Sequence, residues 1–370
     1  MNESNQIKGY KGCPIMKAVL LNNLDEVQKL IATNNQLANF IHKRSGDSPL
    51  ILAARTGHQD IVDLLLTNNA QVKYKNLDGK CAIHEAACNG SVRVIDMLLK
   101  RGADVDALKR ADWTPLMFAC VYGKLDCVKS LLKNDADVNR MNKDGWTPFH
   151  LACREGHMDI LVYLTSIDNC CHLTVSKNGR TPLHTACMHG QLEVCKLLSQ
   201  LPGIDVQAKD SCGSTPFFDA VRFNFLNICK LLVITSNEKC LLDQDNSRKS
   251  IIHVAAQSGH VTALEYLVND CKQDLTQRCE KTGMSPLHYA AKEGQCNALQ
   301  YIISSLNTLL LDTQDEFGRT PLHLSVAANQ LKTTKILLES GANNKLIDLQ
   351  GKSPFEYALS AEMKQLGANT

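Results

Sequence analysis

A tetrapeptide of the type Thr-Pro-Leu-His returns along this chain at nearly constant intervals, and that recurrence restricts the fold more than any other feature. Its proline position is occupied by Pro14, Pro49, Ala82, Pro115, Pro148, Pro182, Pro216, Ile251, Pro286, Pro321 and Pro354. After a first interval of 35 residues the steps are 33, 33, 33, 34, 34, 35, 35, 35 and 33. Nine of the ten prolines stand in this slot, so proline serves the repeat and not scattered turns. A period of this size marks a chain built from stacked supersecondary units, each unable to bury its apolar face alone.

Other columns keep the same phase. Four residues beyond the slot comes a small residue, from Ala18, Ala53 and Ala86 through Ala290, Ser325 and Ala358. Eight residues beyond it stands glycine (Gly57, Gly90, Gly123, Gly156, Gly190, Gly259, Gly294) or asparagine (Asn22, Asn224, Asn329). Ser or Thr precedes the slot in nine units, among them Ser48, Thr114, Thr147 and Thr320. A hydroxyl there caps a helix start, worth about 0.5–2 kcal/mol. Proline at the first helical position loses nothing, because its missing N–H had no partner. Glycine or asparagine then closes the helix in a left-handed conformation. A second amphipathic helix follows, as in Ile61, Val62, Leu64, Leu65 and Leu66. A Gly-Ala-Asp type turn, clearest at Gly102-Ala103-Asp104, ends the unit.

These columns resemble the ankyrin repeat, whose period is about 33 residues. The resemblance implies an all-α repeat solenoid of about eleven units including caps, each a helix-turn-helix with a short β-hairpin finger. The expected layout is a polar N-terminal tail over 1–11, one continuous repeat domain over 12–366, and a C-terminal tail over 367–370. The end units are irregular: Lys17 and Asn22-Asn23 depart from the pattern in the first, and Ser360 to Gln365 give the last a short polar second helix.

Composition bounds the function. A net charge of +2 argues against a globally basic nucleic-acid binder, so no direct nucleic-acid partner is expected. No apolar run reaches the roughly 18–20 residues that span a bilayer, and residues 1–13 lack a signal-peptide core. Sixteen cysteines in such a chain then read as reduced thiols of a soluble protein, expected in the cytoplasm with a nuclear fraction left open, and as a monomer.

Histidine and cysteine are frequent enough to test metal and thiol chemistry. His84, His150, His184, His253, His288 and His323 all lie two residues after the slot. In the ankyrin family this imidazole links neighbouring repeats by hydrogen bonds. His150 with Cys153, and His184 with Cys187, have ligand-like helical spacing. Cys120, Cys153 and Cys187, however, share the column beside the small alanine, where cysteine acts as a small apolar residue. Zinc needs about four convergent ligands, so neither a metal nor a cofactor is expected. The vicinal pair Cys170-Cys171 is an exposed coincidence or a redox-sensitive site. No phosphate-binding glycine loop, carboxylate pair or serine triad signature is present, and the chain is not expected to be an enzyme.

The informative residues are those that the period does not require. Trp113 and Trp146, the only tryptophans, sit two residues before the slot in consecutive repeats. Elsewhere that column is polar or charged, as in Asp47, Lys80, Arg180 and Lys249. Each tryptophan packs on the adjacent finger, or the two form a binding hot spot. Five residues before the slot, Arg110, Lys143 and Lys177 form a basic ladder, with Lys109 beside the first. The ladder is a solvated face, or it receives a carboxylate, a phosphate or an acidic protein surface.

Several runs go beyond the general repeat pattern: Lys109-Arg110-Ala111-Asp112-Trp113-Thr114-Pro115-Leu116-Met117, Asn142-Lys143-Asp144-Gly145-Trp146, Arg180 to Gly190 with Met188-His189, and Leu287-His288-Tyr289-Ala290-Ala291-Lys292-Glu293-Gly294. In these the chain is similar to the family of ankyrin repeat domain-containing protein 16. That resemblance implies a cofactor that binds alanyl-tRNA synthetase and takes misactivated serine onto lysine side chains, limiting serine mischarging. An activated aminoacyl group is electrophilic, and a neutral lysine amine attacks it without a triad. Lys143 matches a family lysine. Where the family has a lysine pair this chain has Lys109-Arg110, and arginine stays protonated, which leaves Lys109. Lys177 is the nearest candidate for a third acceptor. The implied partner-binding groove is then Lys109, Arg110, Trp113, Lys143, Trp146, Lys177 and Arg180. The alternatives are a general scaffold or adaptor for another intracellular protein and, further off, an independent thiol or metal catalyst.

Overall fold

In a computed structural model the described residues are 10, 12–167, 172–306 and 310–368. Cys170, Cys171 and most of the expected N-terminal tail lie outside them. Contacts divide the chain into Met1–Pro182 and Leu183–Thr370.

In the first unit, each slot opens an inner helix and an outer helix follows it. The pairs are α1 (Pro14–Leu20) and α2 (Leu24–Thr33), α3 (Pro49–Thr56) and α4 (Gln59–Thr67), α5 (Ala82–Asn89) and α6 (Val92–Lys100), α7 (Pro115–Val121) and α8 (Leu125–Lys133), and α9 (Pro148–Glu155) and α10 (Met158–Thr165). Inner helices stack on inner helices and outer on outer. Ala53, Ala86, Ala119 and Ala152 are fully buried, and their missing bulk lets the two helices of a unit approach. Ile61, Val62 and Leu65 of α4, like Ile160, Leu161 and Leu164 of α10, supply the apolar face they close on. The caps are those the sequence requires: Ser48 Oγ accepts from Ile51 N at 3.3 Å, and Thr114 Oγ1 from Met117 N at 3.3 Å.

The second unit repeats the arrangement. Its inner helices are α11 (Pro182–Met188), α13 (Pro216–Arg222), α15 (Ile251–Ser258), α17 (Pro286–Lys292) and α19 (Pro321–Ala327). They are followed by α12 (Leu192–Gln200), α14 (Leu226–Thr235), α16 (Val261–Glu265), α18 (Cys296–Leu306) and α20 (Leu331–Glu339). The last slot gives a 3-10 turn, Pro354–Tyr357, before α21 (Ala361–Ala368). The asparagines standing for glycine are left-handed as expected, with φ of 53° at Asn22, 61° at Asn224 and 56° at Asn329.

The histidine column joins repeats in both units. In His288, Nδ1 accepts from Ser285 N at 3.2 Å, which leaves the proton on Nε2 to be donated to Arg319 O at 3.1 Å. The same arrangement carries His84 to Trp113 O (3.3 Å), His253 to Gln277 O (3.0 Å) and His323 to Lys352 O (3.1 Å). His150 and His184 reach Arg180 O (3.2 Å) and Ser214 O (2.9 Å). Burial lowers His84, His253 and His288 to a pKa of about 4, so they sit in the core as neutral donors. Met16, Ile51, Met117, Phe218 and Glu356 occupy the column in the other five units and supply no imidazole. Beside Phe218, the buried Thr215 Oγ1 has no hydrogen-bond partner.

The fingers differ in one respect from the expected β-hairpins. Among the described residues there is one isolated bridge, Gln244 with Ser250, and no strand. The fingers are turns of five or six residues, closed for example by Asn76 N to Lys80 O at 2.9 Å, Asn142 N to Trp146 O at 3.0 Å and, in a six-residue case, Cys279 N to Met284 O at 2.9 Å. Such turns are too short for a ladder of paired residues.

Candidate functional site

The predicted groove residues occupy three successive fingers of the first unit, spanning 109–113, 142–146 and 176–180. The usual finger is held by its first side chain. Asn142 Oδ1 accepts from Asp144 N and Trp146 N, both at 2.9 Å, and Asn76 Oδ1 does the same for Asp78 N (3.0 Å) and Lys80 N (2.9 Å). Lys109 stands at that position in the third finger and has no acceptor to offer. Glycine is missing there too, so Ala111 (φ 63°) and Asp112 (φ 60°) both take left-handed backbone. The turn still closes through Lys109 N to Trp113 O at 2.9 Å.

Released from capping, the Lys109 ammonium lies over the Phe118 ring, 5.4 Å from its centre. Lys80 approaches the same ring at 5.2 Å, and Trp113 packs on it at 5.3 Å. Tyr122, 52% exposed, stacks on Phe118 at 6.4 Å and extends this aromatic shelf toward solvent. In the next repeat the Arg154 guanidinium covers Trp146 at 5.6 Å. Each tryptophan therefore rests on a side chain of its own inner helix. Both remain half-buried, and no ring contact joins them among the described residues. Phe118, Tyr122 and Arg154 extend the site beyond the residues that the sequence singled out; only their phase on the inner helix marks them.

Arg110, Lys143 and Lys177 are exposed, whereas Lys109 and Arg180 are half-buried. The backbone fixes the ladder: Lys143 N donates to Ala111 O at 3.0 Å and Lys177 N to Asp144 O at 3.1 Å. Among the described residues, Lys109, Arg110, Lys143 and Lys177 form no ion pair. The first repeats contrast with them. There Arg55 makes two bonds to Asp47 (2.8 and 3.0 Å) and one to Glu85 (3.0 Å), and Lys80 meets Glu85 at 3.2 Å. These side chains, with Tyr10 and His42, line a cavity of about 770 Å³ in which Asp47, Arg55, Lys80 and Glu85 are paired with one another.

Gly145 has φ +79°, and a Cβ there would lie 2.4 Å from Lys177 N. Gly145→Ala is expected to cost roughly 2 kcal/mol or more through backbone strain and loss of the link to the next finger. Urea unfolding measures it, and an unchanged midpoint would contradict this finger geometry.

Most described thiols are arranged for packing, but Cys212 is exposed, and at Cys279 burial raises the thiol while hydrogen bonds of Thr282 and Tyr289 bring it below its ordinary pKa. Cys120, Cys153 and Cys187 are fully buried beside the small alanine column. Burial pushes Cys127 and Cys229 up to about 12 and Cys88 to about 11, which removes the thiolate a nucleophile requires. Among the described residues no three of His, Cys, Asp or Glu converge as a metal site would need. No described helix is long and apolar enough to cross a membrane.

Models of ankyrin repeats in three copies match residues 15–109, 101–172, 116–210, 166–243 and 217–309, and a single-repeat model matches 317–349. The chain belongs to the ankyrin repeat family. Ankyrin repeats form protein-binding scaffolds. Ankyrin repeat domain-containing protein 13C of Danio rerio is 35% identical over 77 residues, which are 21% of this chain and 15% of that protein. The chain thus corresponds to a small part of that relative's length.

Proposed function

We propose that this ankyrin chain is a non-catalytic binding protein whose surface of fingers 109–113, 142–146 and 176–180 docks onto alanyl-tRNA synthetase and limits serine mischarging. The observation that carries the site is a run of cations, Lys109, Arg110, Lys143 and Lys177, that form no ion pair among the described residues and stand beside half-buried aromatic rings. Aromatic and arginine anchors of this kind dominate interface energetics. The choice of partner rests on a resemblance alone: the residue runs around Trp113, Trp146, Met188 and Tyr289 are similar to those of the synthetase cofactor family. The repeats from 12 to 366 would act as one domain, with Lys109, Lys143 and Lys177 as acceptors of misactivated serine. Exposure of Lys143 and Lys177 supports that role, because an acceptor amine must reach the synthetase-bound adenylate.

Affinity capture from cell extract is the direct test, and alanyl-tRNA synthetase is the expected prey. Incubation with synthetase, ATP and serine should place seryl adducts on Lys143 and its two counterparts. Adducts spread evenly over all lysines would remove the acceptor assignment. Failure to capture the synthetase at high protein concentration would leave the general adaptor reading.

A further inference from the structure

The rung geometry of the basic ladder restricts the kind of chain that can lie on it. Arg110 is joined to Ala111 along the chain, and Lys143 N is bonded to Ala111 O. The inner helices behind these fingers stack on one another, and helices packed in this way sit about 8–10 Å apart, so successive rungs recur at about that interval. Every rung carries a cation at its tip and, three residues on, a second group: Arg110 with Trp113, Lys143 with Trp146, Lys177 with Arg180.

A ligand must therefore return the same side chain to the same face about every 9 Å. A β-strand advances roughly 6.7 Å before a side chain returns to its face, and its third residue points away. A polyproline II helix has three residues per turn and rises about 9.3 Å over them. Its proline rings are also suited to aromatic surfaces, and here the half-buried Trp113 and the exposed Tyr122 both lie against Phe118. We propose that the ladder binds an acidic, proline-containing segment in the polyproline II conformation, with a carboxylate at every third residue. This rests on the reading of fingers three to five as the partner surface and adds the chemistry of the segment that binds there. Carboxylates meet Arg110, Lys143 and Lys177 in turn, while the intervening prolines lie toward the indoles.

The test uses the full chain and nine-residue peptides of one composition. One peptide is Glu-Pro-Pro repeated three times; the other has three Glu followed by six Pro. Trp113 and Trp146 are the only tryptophans, so intrinsic emission reports from the surface itself. The spaced peptide is expected to bind about tenfold tighter than the block peptide at low salt. The R110E/K143E/K177E variant should lose that preference, as should its glutamine counterpart, while Lys332→Glu on α20 keeps it. Equal affinity for the two peptides overturns the register. So does equally tight binding of a helical peptide with Glu at every seventh position. If neither peptide binds but the protein partner is still captured, the ligand class is wrong and the surface stands. If partner capture survives the triple charge reversal, the surface reading itself fails.

Discussion

Moving from pH 7.5 to pH 5 is expected to destabilise this protein well before its carboxylates protonate. His84, His253 and His288 have folded pKa values of about 4, against about 6.5 in an unfolded chain. The unfolded state therefore binds more protons between these values, and stability is lost as pH falls through that window. Below about pH 4 both states are protonated and the loss stops growing. At pH 5 each imidazole contributes roughly 2 kcal/mol of destabilisation, so about 2 in the first unit and about 4 in the second. Burial also lowers His323, which adds to the second. Urea titrations at a series of pH values measure the slope, and His288→Gln should remove about half of the loss assigned to the second unit. A flat profile between pH 7 and 5 would show that the imidazoles are not buried neutral donors.

Replacing Trp113 and Trp146 together by alanine is expected to abolish partner capture, with an affinity loss of a hundredfold or more, since central aromatic anchors are worth about 2 kcal/mol or more each. The chain should still fold. Both indoles are half-buried and rest on Phe118 and under Arg154, not inside the alanine-lined core. Circular dichroism and thermal unfolding separate the two effects. A variant that unfolds would assign the tryptophans to packing, and one that folds and still captures the partner would remove them from the interface.

Much of this architecture was legible because every column has a local cause. The proline after a hydroxyl and the asparagine replacing glycine at Asn224 act within a few residues of themselves, and the histidine acts on the next copy of the same repeat. Their positions in the sequence therefore state their roles. The candidate site was legible only in part. The exposed ladder of Arg110, Lys143 and Lys177 follows from phase, but the partners of Trp113 and Trp146 do not. Those depend on rotamers and on inner-helix residues, Phe118 and Arg154, that belong to another column. Packing on the adjacent finger and a binding hot spot both stay open for the tryptophans, to which the structure adds the contacts each makes within its own repeat. The Asp47–Arg55–Glu85–Lys80 network was missed for a similar reason: it joins three columns from two repeats, and no single column signals it.

The histidine column has a further consequence where it is interrupted. In a linear array, cooperativity is set by nearest-neighbour coupling and not by the stability of any one unit. Met16, Ile51, Met117 and Phe218 leave their junctions without the imidazole bond, and at Phe218 a buried hydroxyl is stranded as well. These junctions are seams along which amide protons should exchange first and proteases should gain entry. Under mechanical load or during synthesis, repeats would then come apart and assemble in blocks bounded by those positions.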